Sequence, residues 1–520
     1  MTHEYSPTPL VRQAGSLSLY DIFNETASRR PDARSLVDRT QAYTYRQTHD
    51  RVTAIAAALL DRGIRQGDRI AVLAENCIGY IELHLAAARL GAIVACQNWR
   101  LTPQEIRQCL ELVSPSLLVY SSRFVDTADA LLQDMPLDSV CLQVGIDSWV
   151  KKSRDAVAPP EIDAESGLLI LYTSGTTGPA KAALISQRAL IARMNLLRTD
   201  LDVTRDDGFI AWSPMFHMGG SEHSLSTLLI GGTVFVADGF DVDYIAQVIG
   251  KEKLGWLLLV PATIDRLIDA LDCQDVTPVG VKRVGAMADL IPKKQLARIS
   301  ARLNSPFLNT FGATETGIAP ASGHAIPAGV EPEKLSKQLN SNCAFRLVDD
   351  AGNDVPAGNV GEAAVKGPTL FSGYWGDEKA NAKDFFDGWF RMGDLFTQNA
   401  DGSLDFYGRA KYLIKSGGEN IYPVEIETIL LADHRVLEAV VVSSRDEKWG
   451  EVPVAVIATD QAHDSGLLED LLAACRAQLA SYKCPKEILV IPLEKLGRNT
   501  SGKVVRNELE RMLKVEGMIN

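Results

Sequence analysis

At 520 residues, 46% hydrophobic and 23% charged, the chain is too long for one compact core and too apolar for a disordered one, so two or more globular domains are expected. A formal charge of −13 argues against non-specific nucleic-acid binding, which calls for a basic excess. No apolar run reaches 18 residues, and "LGWLLLVPATI", among the longest, contains Pro261, so no transmembrane helix is expected. The N-terminal "MTHEYSPTPLVRQ" lacks a basic stretch followed by an apolar core, and no secretory signal is read there. The cysteines (77, 96, 109, 141, 273, 343, 475, 484) stand singly without a CxxC pair, which fits reduced thiols and a cytoplasmic location.

Along the chain, "SLYDIFNETASRR" opens with Ser18 and places Asp21 three residues on, a capping-box start for a helix. "YRQTHDRVTAIAAALLDRG" puts Val52, Ile55, Ala56, Leu59 and Leu60 on one helical face and stops at Gly63. "RIAVLAE" then reads as a buried strand, "IELHLAAARLG" as a helix and "AIVACQN" as a strand. The alternation predicts a largely parallel α/β sheet, and it resumes after residue 200 with "GFIAWSP", "TVFVAD", "YIAQVIGKEK" and "GWLLLVP".

Between these blocks lies "LYTSGTTGPAKAA" (171–183). It joins a strand, "GLLILYT", to a second short strand, "AALIS", after which Ser186 caps a helix through "QRALIARMNLLR". Glycines that let the backbone turn inward, hydroxyls that donate hydrogen bonds and the charge of Lys181 together suit a polyphosphate. On this stretch alone an ordinary Ser/Gly hairpin loop stays open as the alternative. The spacing is not that of a Walker loop, which needs four residues between Gly and Gly-Lys. Residues 321–340, polar and with two prolines, read as a surface connection. The turn Asn399–Gly402 leads to one strand. From about Lys411, "VLEAVVVSS", "VPVAVIAT", "SGLLEDLLAACRAQLA" and "KEILVI" make a small α+β unit of about 110 residues. The expected fold is therefore α/β: a large N-terminal domain (1–410) of mixed and parallel sheets with helices, and a small, mobile C-terminal α+β domain (411–520).

Four further stretches fix the identity of the loop: "WSPMFHMGG" (212–220), "NTFGATETG" (309–317), "GWFRMGDL" (388–395) with "GRAKYLIKSGGENIYPVEIE" (408–427), and "GRNTSGKVVRNEL" (497–509). In this order, from about residue 15 to residue 510, the chain resembles the adenylate-forming (AMP-binding) superfamily, and within it bacterial fatty-acyl or aryl-acid CoA ligases. The resemblance implies ATP, Mg2+ and coenzyme A as co-substrate. A carboxylate would attack the α-phosphorus of ATP, and the thiol of CoA would then take the acyl group from the adenylate. The acid would be hydrophobic, either a medium- or long-chain fatty acid or an aryl or alicyclic one.

By that resemblance Thr173, Ser174, Gly175, Thr176, Thr177, Gly178 and Lys181 wrap the β- and γ-phosphates. Glu315 is the magnesium ligand and Thr314 touches the α-phosphate. Asp394 and Arg409 hold the ribose, and Gly285, Ala286 and Met287 with Asn309, Thr310, Phe311 and Gly312 form the adenine slot. Lys503 bridges the substrate carboxylate and the α-phosphate. His217 lines the junction of the acyl and pantetheine tunnels, and the absence of the Asp that amino-acid adenylating domains place in its stretch argues for an acid without an α-amine. Gly219 and Gly220 would leave room for a bulky acyl group. Lys411 falls at the family's hinge position, with Gly417 and Gly418 approaching pantetheine.

The chain departs from the family pattern at Tyr412 (commonly Asp), Met392 (Thr), Phe311 (Tyr), Ala180 (Pro) and Ala182 (Gly). None removes a group that touches the reacting atoms. Loading of a carrier-protein thiol, a non-catalytic nucleotide sensor and, more weakly, a luciferase-like oxygenase stand as alternatives. The oligomeric state is open, a homodimer included.

Overall fold

A computed structural model describes residues 15–152, 160–173, 180–416, 419–460, 466–498 and 504–520. The first helix, Leu19–Arg29, starts as read: the Ser18 hydroxyl accepts the Asp21 N–H while the Asp21 carboxylate accepts the Ser18 N–H at 2.8 Å. Helix Tyr45–Asp61 has a second capping box, Thr44 with Gln47, and buries Val52, Ile55, Ala56 and Leu59. It ends just before Gly63, whose φ of +88° only glycine adopts easily.

Two sheets dominate the large domain. Among the described residues the first has strand order Ser139–Cys141, Leu117–Tyr120, Arg69–Leu73, Ile93–Cys96, Gly167–Thr173 and Lys181–Ser186. All its pairings are parallel except the last, an antiparallel hairpin. The second runs Ala325–Ile326, Phe307–Asn309, Val284–Ala286, Leu254–Leu258, Gly208–Ala211, Thr233–Val236, Arg34–Val37 and Ala42–Thr44. It is parallel through its centre and antiparallel at both edges. One apolar core joins the two sheets. Helix Ile78–Leu90 lies within it and is buried on every face apart from Gly79, and helix Met218–Ile230 is nearly as enclosed. Enclosure on every side follows from a position between layers, and polar side chains such as Glu82 and Glu222 are buried there with the apolar ones.

A third sheet is antiparallel: Ala344–Val348, Gly361–Lys366, Trp389–Gln398 and Phe385–Phe386, with Leu404–Arg409 paired to Trp389–Gln398. Phe371, Tyr374, Phe390 and Phe396 pack on it. The smaller domain is built on Ile414–Ser416, Glu419–Ile421, Glu438–Asp446, Gly450–Ala458 and Glu487–Val490, with helices Pro423–Leu431, Leu467–Gln478 and Arg506–Val515 on its faces. No helix among the described residues is long and apolar enough to cross a membrane.

The reading of 321–340 as a surface connection needs correction. Ala325–Ile326 adds an edge strand to the second sheet, and Ala321, Ser322, Ile326 and Lys337 are buried. Lys337 is drawn inward because its ammonium has partners there: it pairs with Asp289 and donates to Asn309 Oδ1 at 2.7 Å. Its backbone also pairs with Leu404 on both sides. Burial pulls the pKa of Lys337 down, and Asp289 opposes that pull.

Removing one member of a buried pair strands the other. Lys337→Met is therefore expected to destabilise the large domain by about 3 kcal/mol, and Lys337→Met with Asp289→Asn by clearly less. Urea unfolding of the two variants against the parent chain checks this.

Candidate active site

The loop between Gly167–Thr173 and Lys181–Ser186 is anchored by pairing of Thr173 with Lys181 at its base. Ser174, Gly175, Thr176, Thr177 and Gly178 lie outside the described residues, as do Gly417, Gly418 and Lys503. Lys181 is placed by its strand. Its ammonium lies 3.1 Å from Asp384 Oδ2 and 4.2 Å from the centroid of the Tyr374 ring.

Residues 372–375 run along that same strand. Leu184 N donates to Gly373 O, Ser372 N to Leu184 O and Trp375 N to Ala182 O. This alignment carries the Tyr374 hydroxyl to Glu315, where it donates to Oε1 at 2.9 Å. Glu315 itself sits in the turn between Gly312–Ala313 and Gly317–Pro320, and its carbonyl accepts from Phe371 N. The preceding carbonyl, of Thr314, accepts from Arg193 Nη2 at 3.2 Å. Arg193 also donates to Thr369 O and pairs with Glu222, one turn into the helix that His217 begins. The structure thus gathers Lys181, Thr314 and Glu315 around side chains that sequence reasoning did not single out: Tyr374, Asp384, Arg193 and Glu222.

Gly285 and Ala286 end one parallel strand, Met287 follows it, and Asn309 ends the neighbouring strand, where Thr310 N donates to Ala286 O. A Cβ at Gly285 would come 2.4 Å from Leu308 O, and one at Gly312 would come 1.9 Å from Gly317 O. Both glycines are thus required by close backbone approach. The Asn309 amide is committed to protein partners: Oδ1 accepts from Ala288 N and Lys337, and Nδ2 donates to Leu335 O. Phe311 packs edge-on against Phe396, centroids 4.7 Å apart. That contact joins the expected adenine slot to the strand bearing Asp394. Asp394 and Arg409 face each other across two strands, Nε to Oδ1 2.9 Å, with the carboxylate buried and the guanidinium half exposed.

Lys411 follows in the short turn Ala410–Tyr412. Tyr412 is a platform for cations: Lys411 Nζ lies 4.4 Å and the Arg506 guanidinium 4.7 Å from its ring centroid. Burial, then the neighbouring Arg409, lowers the Lys411 pKa to about 8.

His217 is held at the start of helix Met218–Ile230, beside Phe216. Burial, and the nearby Arg100, lower its pKa to about 4, so it is neutral under ordinary conditions. The neighbouring glycines do not open space for a ligand as expected. A Cβ at Gly220 would lie 2.4 Å from Pro214 O and one at Gly219 2.7 Å from Leu258 Cδ2, so the protein itself fills that volume.

No group of three or more His, Cys, Asp or Glu side chains among the described residues could hold a metal ion. One carboxylate oriented by a tyrosine hydroxyl, Glu315, fits Mg2+, which keeps several waters and needs few protein ligands.

Two family models match the chain: one described as AMP-binding enzyme over residues 23–375, the other as AMP-binding enzyme C-terminal domain over residues 425–503. The chain is 34% identical over 485 residues to indoleacetate–CoA ligase of Aromatoleum aromaticum, covering 90% of this chain and 93% of that protein. It is 30% identical over 490 residues to 2-succinylbenzoate–CoA ligase of Listeria innocua, covering 92% and 96%. A solved structure of O-succinylbenzoate coenzyme A synthetase from Bacillus subtilis, in complex with ATP and magnesium ion, superposes with a TM-score of 0.82 at 25% identity, covering 94% of this chain and 99% of that one.

Because Gly312 has no space for a methyl group, Gly312→Ala is expected to weaken nucleotide binding by about tenfold or more, whereas Gly280→Ala, in open space, leaves it unchanged. Titration calorimetry with ATP reads both. The neutral state of His217 predicts that His217→Gln leaves the shape of the kcat/KM–pH profile unchanged between about pH 5.5 and 8. An inflection near the ordinary histidine value that vanishes in the variant would contradict this.

Proposed function

The chain belongs to the AMP-binding enzyme family, and on that premise we propose that it is an ATP- and Mg2+-dependent ligase joining an aryl carboxylic acid to coenzyme A. The observation that carries this reading is the placement of a phosphate-loop lysine, Lys181, and an acidic residue, Glu315, on the face and at the hydroxyl of one tyrosine. A cation and a metal-binding carboxylate side by side suit the charge of a triphosphate.

In this reading the acid's carboxylate attacks the α-phosphorus of ATP, giving acyl-AMP and pyrophosphate. The CoA thiol then attacks the acyl carbon and AMP leaves. A mixed anhydride has a good leaving group where a carboxylate has none, so one difficult displacement becomes two easier ones. Lys181 and the loop residues Thr173, Ser174, Gly175, Thr176, Thr177 and Gly178 hold the β- and γ-phosphates. Asp394 accepts from the ribose hydroxyls and Arg409 steadies it from the facing strand. Residues 285–287 and 309–312 border the base. Glu315 would hold Mg2+, which neutralises phosphate charge when bound. Lys503 stabilises the charge that builds at the α-phosphate. A swing about Lys411 between domains 1–410 and 411–520 would exchange Lys503 for Gly417 and Gly418, which would then face pantetheine.

Both curated relatives described above are named for aryl acids, which supports that branch of the expected substrates over the fatty-acid branch and gives no support to a place in lipid metabolism. The acidic residue near His217, Glu222, is taken up by Arg193, which supports a substrate without an α-ammonium group. The cysteines among the described residues are all unpaired, in keeping with a reducing, cytoplasmic setting.

The test is mass spectrometry of the chain with ATP, Mg2+, CoA and a pool of acids containing indoleacetate, 2-succinylbenzoate, benzoates and fatty acids of several lengths. An aryl thioester with stoichiometric AMP is expected. Acyl-adenylate without thioester would move the assignment to a carrier-protein acceptor, and no AMP with any acid would favour a sensor. Lys503→Ala should slow adenylation by about 100-fold or more while sparing thioester formation from supplied acyl-adenylate. Equal loss in both half-reactions would remove that role from Lys503.

A further inference from the structure

Tyr374 is held independently of any ligand. Its N–H donates to Asn381 Oδ1 and its carbonyl accepts from Asn381 Nδ2, while its backbone bridges to Ala183 of the lysine-bearing strand. The ring packs edge-on against Phe371 and is almost fully buried. Two opposite charges meet it at different places: the Lys181 ammonium on its face and the Glu315 carboxylate at its hydroxyl.

The ammonium takes Asp384 as its ion-pair partner, and among the described residues no ion pair joins it to Glu315, which meets the same tyrosine at a different point. The hydroxyl engages Oε1 of Glu315 and leaves Oε2 for a cation. We infer that Tyr374 is a positioning residue for the nucleotide site: its face receives Lys181, and its hydroxyl orients the Glu315 carboxylate for Mg2+ bound with ATP.

This inference rests on the reading of Glu315 as the magnesium ligand, and the experiment separates the two. ATP binding to the full-length chain is measured by calorimetry across a Mg2+ titration with no acid present, in the parent chain, Tyr374→Phe and Glu315→Gln. Tyr374→Phe keeps the ring under Lys181 and loses one hydrogen bond to a charged group. It should raise the Mg2+ concentration needed for half-maximal ATP binding by about tenfold, with ATP affinity at saturating Mg2+ nearly unchanged. Thioester formation from supplied acyl-adenylate and CoA should proceed at the parent rate. Tyr374→Leu, which also removes the ring face, should weaken ATP binding even at saturating Mg2+.

If Glu315→Gln shifts the Mg2+ requirement and Tyr374→Phe does not, the role of Tyr374 is overturned while that of Glu315 stands. An unshifted requirement in Glu315→Gln would overturn the magnesium assignment and this inference with it. Equal slowing of both half-reactions in Tyr374→Phe would mark a purely structural tyrosine and also overturn it.

Discussion

A guanidinium withdrawn from water must have its charge met and its N–H groups engaged, and Arg193 finds its partners in the parts that form the site. Glu222 answers the charge, while the carbonyls of Thr369 and Thr314 accept from Nε and Nη2. Burial lowers the Arg193 pKa and raises that of Glu222, and each partner opposes the other's shift. Neither residue tolerates loss of the other, so helix Gln187–Thr199, the helix after His217 and the turn bearing Glu315 are fixed in one arrangement. The close packing at Gly317, where a Cβ would press on the Arg193 side chain at 2.7 Å, shows how little slack the arrangement has.

Much of the scaffold was legible because its signals are local. Ser18 with Asp21 marks a helix start within four residues, and the alternation of apolar runs with amphipathic stretches announces parallel sheets. Ser186 caps its helix as read. The ordered motifs led to the family. What stayed hidden depends on partners distant in sequence. Lys337 lies in a stretch that looks solvent-facing, and only Asp289, 48 residues away, explains its burial. Tyr374 meets Glu315 across 59 residues and no periodicity marks it. Gly220 looked like room for a ligand, because a sequence does not show that the Pro214 carbonyl fills the place.

The departures from the family pattern also acquire physical content. Phe311 loses a hydroxyl but keeps its place in an aromatic group with Phe396 and Phe406. Tyr412, where an aspartate is common, offers a ring quadrupole to two cations, which an aspartate would meet with a full charge. Arg506 is meanwhile paired with Glu427, so the platform is tied to the framework of the smaller domain. The proposed hinge thus lies beside cation–ring contacts, which are softer than ion pairs and less sensitive to salt.

The second sheet also sets an order of events during synthesis. Its strand Arg34–Val37 emerges early, yet the neighbour it pairs with, Leu36 against Val234, is made about 200 residues later, after the whole of the first sheet. A nascent chain carries that strand with one edge open while Arg69–Leu73 and its neighbours are already able to pair. The antiparallel return through Ala42–Thr44 covers only the other edge. The large domain therefore has no early N-terminal half that closes on its own, and a ribosome stalled before Thr233 would present an unfinished sheet to chaperones.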